Sequence, residues 1–217
     1  MKFFCENKPL NANIQHLYVA GWTGRDAAAV QHHIDELAEL GVAPPSQVPL
    51  YYRVSENLLI QAEEVAVVGE TTSGEVEPML VRLDGQLWLG LASDHTDREL
   101  EAYSVAASKQ ACVKPAAQGL WKFDEVKDHL DQLVLSCEVY EACEWVSYQE
   151  GPLAAIRPLV DLLDGADMPD QSAMLCGTLG AKGGVRPAEH YRMRLTDPVL
   201  HRGIELSYSV RTLPIVS

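Results

Sequence analysis

Two strand-length runs, Met79-Leu80-Val81-Arg82-Leu83 and Gln86 to Ala92, flank Asp84-Gly85, and this stretch constrains the fold more than any other. Asp-Gly readily supplies the two positive-φ positions of a tight two-residue turn whose twist matches the strands it joins. The stretch therefore predicts a β-hairpin. Further strands are predicted at His16–Ala20, Leu50–Val54, Val65–Val68, Leu133–Glu138, Ala173–Cys176, Tyr191–Leu195 and Ile204–Leu213. Helical periodicity is clearest over residues 26–40, where Val30, Ile34, Leu37 and Ala38 share a stripe that Gly41 and Pro44-Pro45 bring to a stop. Thr96-Asp97-Arg98-Glu99 matches a capping box opening a helix to about Ser108, a short helix is predicted near Phe123–Asp131, and Leu153–Leu163 reads as helical after Pro152. The sum is a β-rich α+β chain rather than alternating βαβ units.

At 217 residues the expectation is one domain over 1–217, with N-terminal strands and a helix in 1–50 and a β-rich body in 51–217. Acidic residues number 31 against 17 basic ones, a net charge of −14. A nucleic-acid partner needs a basic footprint, so none is expected, and anionic membrane surfaces are excluded on the same ground. No apolar run reaches the length of a membrane span and no signal peptide is visible. The five cysteines are scattered without a Cys-x-x-Cys pair, which suits free thiols in the cytoplasm.

The chemistry is carried by carboxylates. Glu75 and Glu77 stand where the first hairpin strand begins, and alternation puts them on one face about 7 Å apart. Taken alone, such a pair is most often a solvated edge. Glu99 and Glu101, in a stretch that reads helical, diverge by about 200° and show why. Asp94 follows the second hairpin strand, which a single turn returns to the same region. Three carboxylates there suit a hard cation held by oxygen, magnesium or manganese with calcium as a further option, and suit zinc poorly. On the helix over 26–40, His33 lies at the margin of the buried stripe with Glu36 three residues on, a spacing at which a carboxylate can orient an imidazole.

In this order, Glu75-Val76-Glu77, then Asp94 in Ala92-Ser93-Asp94-His95-Thr96-Asp97-Arg98-Glu99-Leu100, then Lys109, then Cys176-Gly177-Thr178, the residues resemble the fumarylacetoacetate hydrolase superfamily. His33 and Glu36 resemble its lid-helix His-x-x-Glu, and the likeness spans roughly residues 25–215. The resemblance implies a mixed β-sandwich roll with a few peripheral helices, a homodimer, and a divalent cation on Glu75, Glu77 and Asp94. It implies an oxo-acid substrate and hydrolysis of a carbon–carbon bond in a diketo or acylpyruvate-like acid. Oxo-acid decarboxylation or tautomerisation is the alternative, and non-catalytic binding of a small acid a third reading. By the same resemblance, His33 and Glu36 activate water, Lys109 neutralises developing charge, and Gly177 and Thr178 receive the substrate carboxylate. The sequence departs from the pattern at Leu179, where the family has proline, and at Arg53, where it has lysine; a guanidinium there would bind a carboxylate bidentately.

Overall fold

Asp84 and Gly85 adopt φ of 51° and 74°, and the turn joins β8 (Val76–Leu83) to β9 (Gln86–Ser93) in antiparallel register, Leu83 opposite Gln86 and Val76 opposite Ser93. The computed structural model describes residues 1–39 and 44–216, except for the side chains of residues 33, 36 and 37. Before the hairpin come β1 (Lys2–Cys5), β2 (Lys8–Asn11), β3 (His16–Gly21), α1 (Ala27–Glu39), β4 (Leu50–Val54) and the short β5 (Leu59–Ile60), β6 (Glu64–Val68) and β7 (Thr72–Ser73). After it come β10 (Thr96–Asp97), α2 (Arg98–Glu101), α3 (Val105–Ala111), β11 (Lys114–Pro115), β12 (Trp121–Lys122) and α4 (Phe123–Val126). The chain ends with β13 (Val134–Glu141), β14 (Glu144–Pro152), α5 (Leu159–Ala166), β15 (Ser172–Leu175), β16 (His190–Asp197) and β17 (Arg202–Leu213).

Two sheets dominate, a six-stranded one in the order β12-β9-β8-β15-β3-β4 and a five-stranded one in the order β14-β13-β16-β17-β6. Both are mixed, since β15 runs parallel to β3 and β17 parallel to β6. The six-stranded sheet is covered on both faces, so β8 and β9 are apolar nearly throughout. Along β8, Val76 and Leu80 join a core shared with Val65, Leu135, Tyr191 and Ile204 of the five-stranded sheet. Met79, Val81 and Leu83 point the other way, into a second core closed by Phe3, Cys5, Ala12 and Ile14 of the N-terminal segment. Glu77 shares the parity of Met79 and Val81 and so belongs to that second face.

Three helices differ from the sequence expectation, and the one near Phe123–Asp131 shortens to the single turn of α4 and a 3₁₀ turn at Leu130–Gln132. The helix predicted over 96–108 is split: Asp97, not Thr96, caps α2 by accepting from the Glu99 and Leu100 amides, and Ser104 starts α3 by accepting from Ala107. Ser and Asp side chains compete for nearby amides, and here two caps within one stretch break it in two. The helix predicted over 153–163 is likewise interrupted, because a short 3₁₀ turn at Leu153–Ala155 gives way to extended Ile156, and Pro158 then opens α5. Helix α1 begins where Asp26 accepts from the Ala28 and Ala29 amides; it buries Ile34, half-buries Val30 and leaves Ala38 exposed.

Candidate active site

Glu77 is the second residue of β8 and Glu75 lies just before it. Asp94 lies just past β9, and its amide donates to the Glu75 carbonyl at 2.9 Å, so the hairpin closes its open end on the acidic residues. Asp94 and Glu77 are almost wholly buried, at 1% and 3% exposure. Lys109, in the last turn of α3, donates to one Asp94 oxygen at 2.5 Å, and Lys114 of β11 stands 3.1 Å from the other. Lys114 also donates to the His95 carbonyl at 2.5 Å, which ties β11 to the turn after β9. Arg98 bridges Glu75 at 2.8 Å and Glu101 at 2.9 Å. Glu77 accepts from the Gly177 amide at 2.7 Å.

The charges are unequally satisfied. Burial raises the Glu77 pKa well above the ordinary carboxylate range, and the Asp94 charge raises it further, against the smaller pull of Lys109 and the Gly177 amide. Burial also works against ionised Asp94, but Lys109 and Lys114 outweigh it and hold its pKa low. For Lys109 the burial cost is outweighed by Asp94, Glu101 and Glu77, and its pKa is raised. Lys114, fully buried and repelled by Lys109, is only partly compensated by Asp94, and its pKa is lowered. Beneath this layer His95 bonds Thr72 at 2.9 Å and Tyr208 at 3.0 Å, with Ser93 2.9 Å from the same hydroxyl. Burial pushes the His95 pKa down to about 3, so the ring is a neutral strut.

Of the residues singled out in the sequence, the structure gathers Glu77, Asp94, Lys109 and Gly177, with Glu75 held at the edge by Arg98. Thr178 is adjacent, but its hydroxyl donates to the Val76 carbonyl at 2.7 Å and accepts from Gln149 at 2.8 Å, so it anchors β8. Arg53 is not brought to this group: its guanidinium stacks on Tyr18 at 4.3 Å and reaches His16 at 3.2 Å. Alternation along β4 turns Tyr52 toward the site instead, its ring centroid 6.0 Å from the Lys109 ammonium. His33 and Glu36 lie within α1, and their side chains are outside the described residues. The site residues not anticipated from sequence are Lys114, His95 and Tyr52. A solitary lysine in Cys112-Val113-Lys114-Pro115-Ala116-Ala117 is the one signal that pointed to any of them. Two surface depressions, of about 270 and 290 Å³, lie elsewhere, around Arg192–Arg194 and around Arg157, away from these carboxylates.

Among the described residues no three His, Cys, Asp or Glu side chains are already drawn together as a metal cage. The donor chemistry nevertheless fits a hard divalent cation. Glu77 is a buried carboxylate whose charge is undercompensated, and Asp94 and Glu75 supply further oxygens at the same strand ends. A cation there would share Asp94 with two lysines.

The fold is that of the fumarylacetoacetate hydrolase superfamily. A 2-keto-3-deoxy-D-arabinonate dehydratase complexed with magnesium and 2,5-dioxopentanoate superposes with a TM-score of 0.63 at 16% identity, over 96% of this chain and 76% of that one. The 2-hydroxyhepta-2,4-diene-1,7-dioate isomerase from Mycobacterium marinum gives 0.62 at 13% identity, covering 93% and 76%. The 5-carboxymethyl-2-hydroxymuconate delta-isomerase from Mycobacterium smegmatis gives 0.61 at 14%, covering 96% and 84%. No curated protein matches the sequence. Within this fold the chain belongs to the family of proteins of unknown function DUF2848, whose model matches residues 20–208.

Proposed function

We propose that the chain is a metal-dependent enzyme acting on a 2-oxo or diketo acid, and that its reaction is hydrolysis of a carbon–carbon bond in an acylpyruvate-like substrate. The observation that carries this reading is a buried cluster of two carboxylates and two lysines gathered from strand ends and the last turn of α3. Such a cluster is costly to fold around and is the expected signature of a charge-handling site. Glu75, Glu77 and Asp94 would hold magnesium or manganese. When bound, the cation supplies Lewis-acid stabilisation to the oxygens of a chelated oxo acid.

The protein groups do the rest. Lys109, buried beside Asp94, meets negative charge developing on the substrate oxygen, while Lys114 keeps Asp94 in place. His33, oriented by Glu36, takes a proton from water; the water oxygen adds to the distal carbonyl, the carbon–carbon bond breaks, and its electron pair is protonated on the pyruvate fragment. A homodimer is part of the same proposal.

A second reading, dehydration or isomerisation of an oxo acid, is supported by the names of the three similar structures, which are one dehydratase and two isomerases. His33→Ala separates the two. Hydrolysis of an acylpyruvate should fall about 10²–10⁴-fold, the usual contribution of a general base. Unchanged hydrolysis in that variant would remove the water-activating role, and an oxo-acid panel that binds with Mg²⁺ or Mn²⁺ but never turns over would remove catalysis altogether.

A further inference from the structure

The side of the site away from the hairpin is aromatic, and its residues say what kind of substrate tail it accepts. Tyr52 projects from β4 onto the carboxylate face, half-buried beside Lys109. It lies flat against β3 because Gly21 has no side chain: a Cβ there would come within 2.9 Å of the Tyr52 ring. Trp22 follows with φ of 61°, a left-handed conformation rare for a bulky residue and costly enough to need a reason. That backbone sets its indole Nε1–H 3.4 Å from the Tyr52 hydroxyl. Thr23, next in the chain, packs against Gly177, whose amide holds Glu77. Trp22 and Tyr52 thus continue the rim that begins at Glu77, Gly177 and Lys109.

Charge points the same way. Among the described residues, the four carboxylates Glu75, Glu77, Asp94 and Glu101 exceed the three cations Arg98, Lys109 and Lys114 by one, so a divalent cation gives this group one positive charge, which a single substrate carboxylate matches. Among the described residues, the cations nearest in sequence to the wall are committed elsewhere, Arg53 to Tyr18 and His16, and Arg25 to Asp131 through contacts of 2.6 and 2.8 Å. Beyond Lys109, which Asp94 engages, a second carboxylate on the substrate would face the aromatic surface of Tyr52 and Trp22.

We propose that Tyr52 and Trp22 form the tail-binding wall and select 2-oxo monocarboxylates with an uncharged flat or apolar tail against oxo dicarboxylates. This rests on the metal-dependent oxo-acid reading above and narrows its substrate class. The full chain loaded with Mn²⁺ is titrated calorimetrically with oxalate, 2-oxopentanoate, phenylpyruvate and 2-oxoglutarate. The second and fourth share a five-carbon chain and differ in a terminal carboxylate. Oxalate, which has no tail, reports the cation site alone.

The expected result is binding of 2-oxopentanoate and phenylpyruvate, with 2-oxoglutarate about 100-fold weaker. Tyr52→Leu should weaken phenylpyruvate about tenfold and leave oxalate unchanged. Tyr52→Lys should raise the affinity for 2-oxoglutarate, and Tyr52→Phe should behave nearly as the native protein. If 2-oxoglutarate binds as tightly as 2-oxopentanoate, or Tyr52→Leu leaves phenylpyruvate untouched while oxalate binds normally, the wall is not selective and the proposal falls while the metal site stands. If oxalate and every oxo acid fail to bind, the underlying reading falls and takes the proposal with it.

Discussion

At the scale of single residues, the site is a set of charges at different levels of satisfaction, and pH exposes the difference. The His95 pKa is depressed to about 3 in the fold, against an ordinary value near 6.5. The stability this neutral ring contributes is complete above about pH 6.5 and is lost as pH falls toward the folded value, by up to about 1.4 kcal/mol per unit. Between pH 6.5 and 5, urea unfolding should therefore cost the native protein about 2 kcal/mol more than it costs His95→Gln. Equal slopes would mean the ring is not held neutral. Glu77 has the opposite sign. Its raised pKa means that its stabilising protonated form is complete below the unfolded value and is lost as pH rises through the folded one. In chelator, the Tm of the native protein should fall toward alkaline pH more steeply than that of Glu77→Gln. Glu77, Asp94 and Lys109 were legible because residue type and order sufficed. Tyr52 was not, because Leu50-Tyr51-Tyr52-Arg53-Val54 is apolar at every position but one and gives no phase to the strand; the charge of Arg53 drew attention to the wrong face.

At the scale of elements, the β8–β9 hairpin was readable because its signals are local, a turn dipeptide and two apolar runs. The breaks in the helices over 96–108 and 153–163 are also local, in Ser104 and Pro158. Periodicity masked the first, and the position of Pro152 drew the start of the second too early. What local signals do not carry is how the sheets are joined. Gln149, wholly buried on β14 of the five-stranded sheet, accepts from the Val76 amide at 2.9 Å and donates to Thr178 at 2.8 Å and to the Leu179 carbonyl at 2.6 Å. It fixes the start of β8 from the opposite sheet. Gln149→Leu leaves the buried Val76 amide and Leu179 carbonyl unsatisfied and removes a bond to Thr178, at about 1 kcal/mol or more each. A loss of about 3 kcal/mol should lower Tm by about 6–12 °C in a chain of this size. A change of under about 2 °C would show that Val76 and the 177–179 loop are held by other contacts. No helix among the described residues is long and apolar enough to cross a membrane.

At the scale of the molecule, the six-stranded sheet is sandwiched between two cores, and the site lies at the strand ends on the face closed by the N-terminal segment. Burial of this kind makes charge expensive unless something answers it. Asp94 is answered by two lysines and Glu75 by Arg98, whereas Glu77, among the described residues, is held by the Gly177 amide and no ion pair of its own. A cation at about 100 times its Kd should stabilise the fold by about 2.7 kcal/mol. The direct test is to count bound Mn²⁺ by water-proton relaxation in the native chain, in Glu77→Gln and in the surface control Glu64→Gln. One site per chain, lost in Glu77→Gln and kept in Glu64→Gln, is the predicted result. Binding that survives Glu77→Gln undiminished, or no binding by the native chain, would contradict a metal centre at the head of β8.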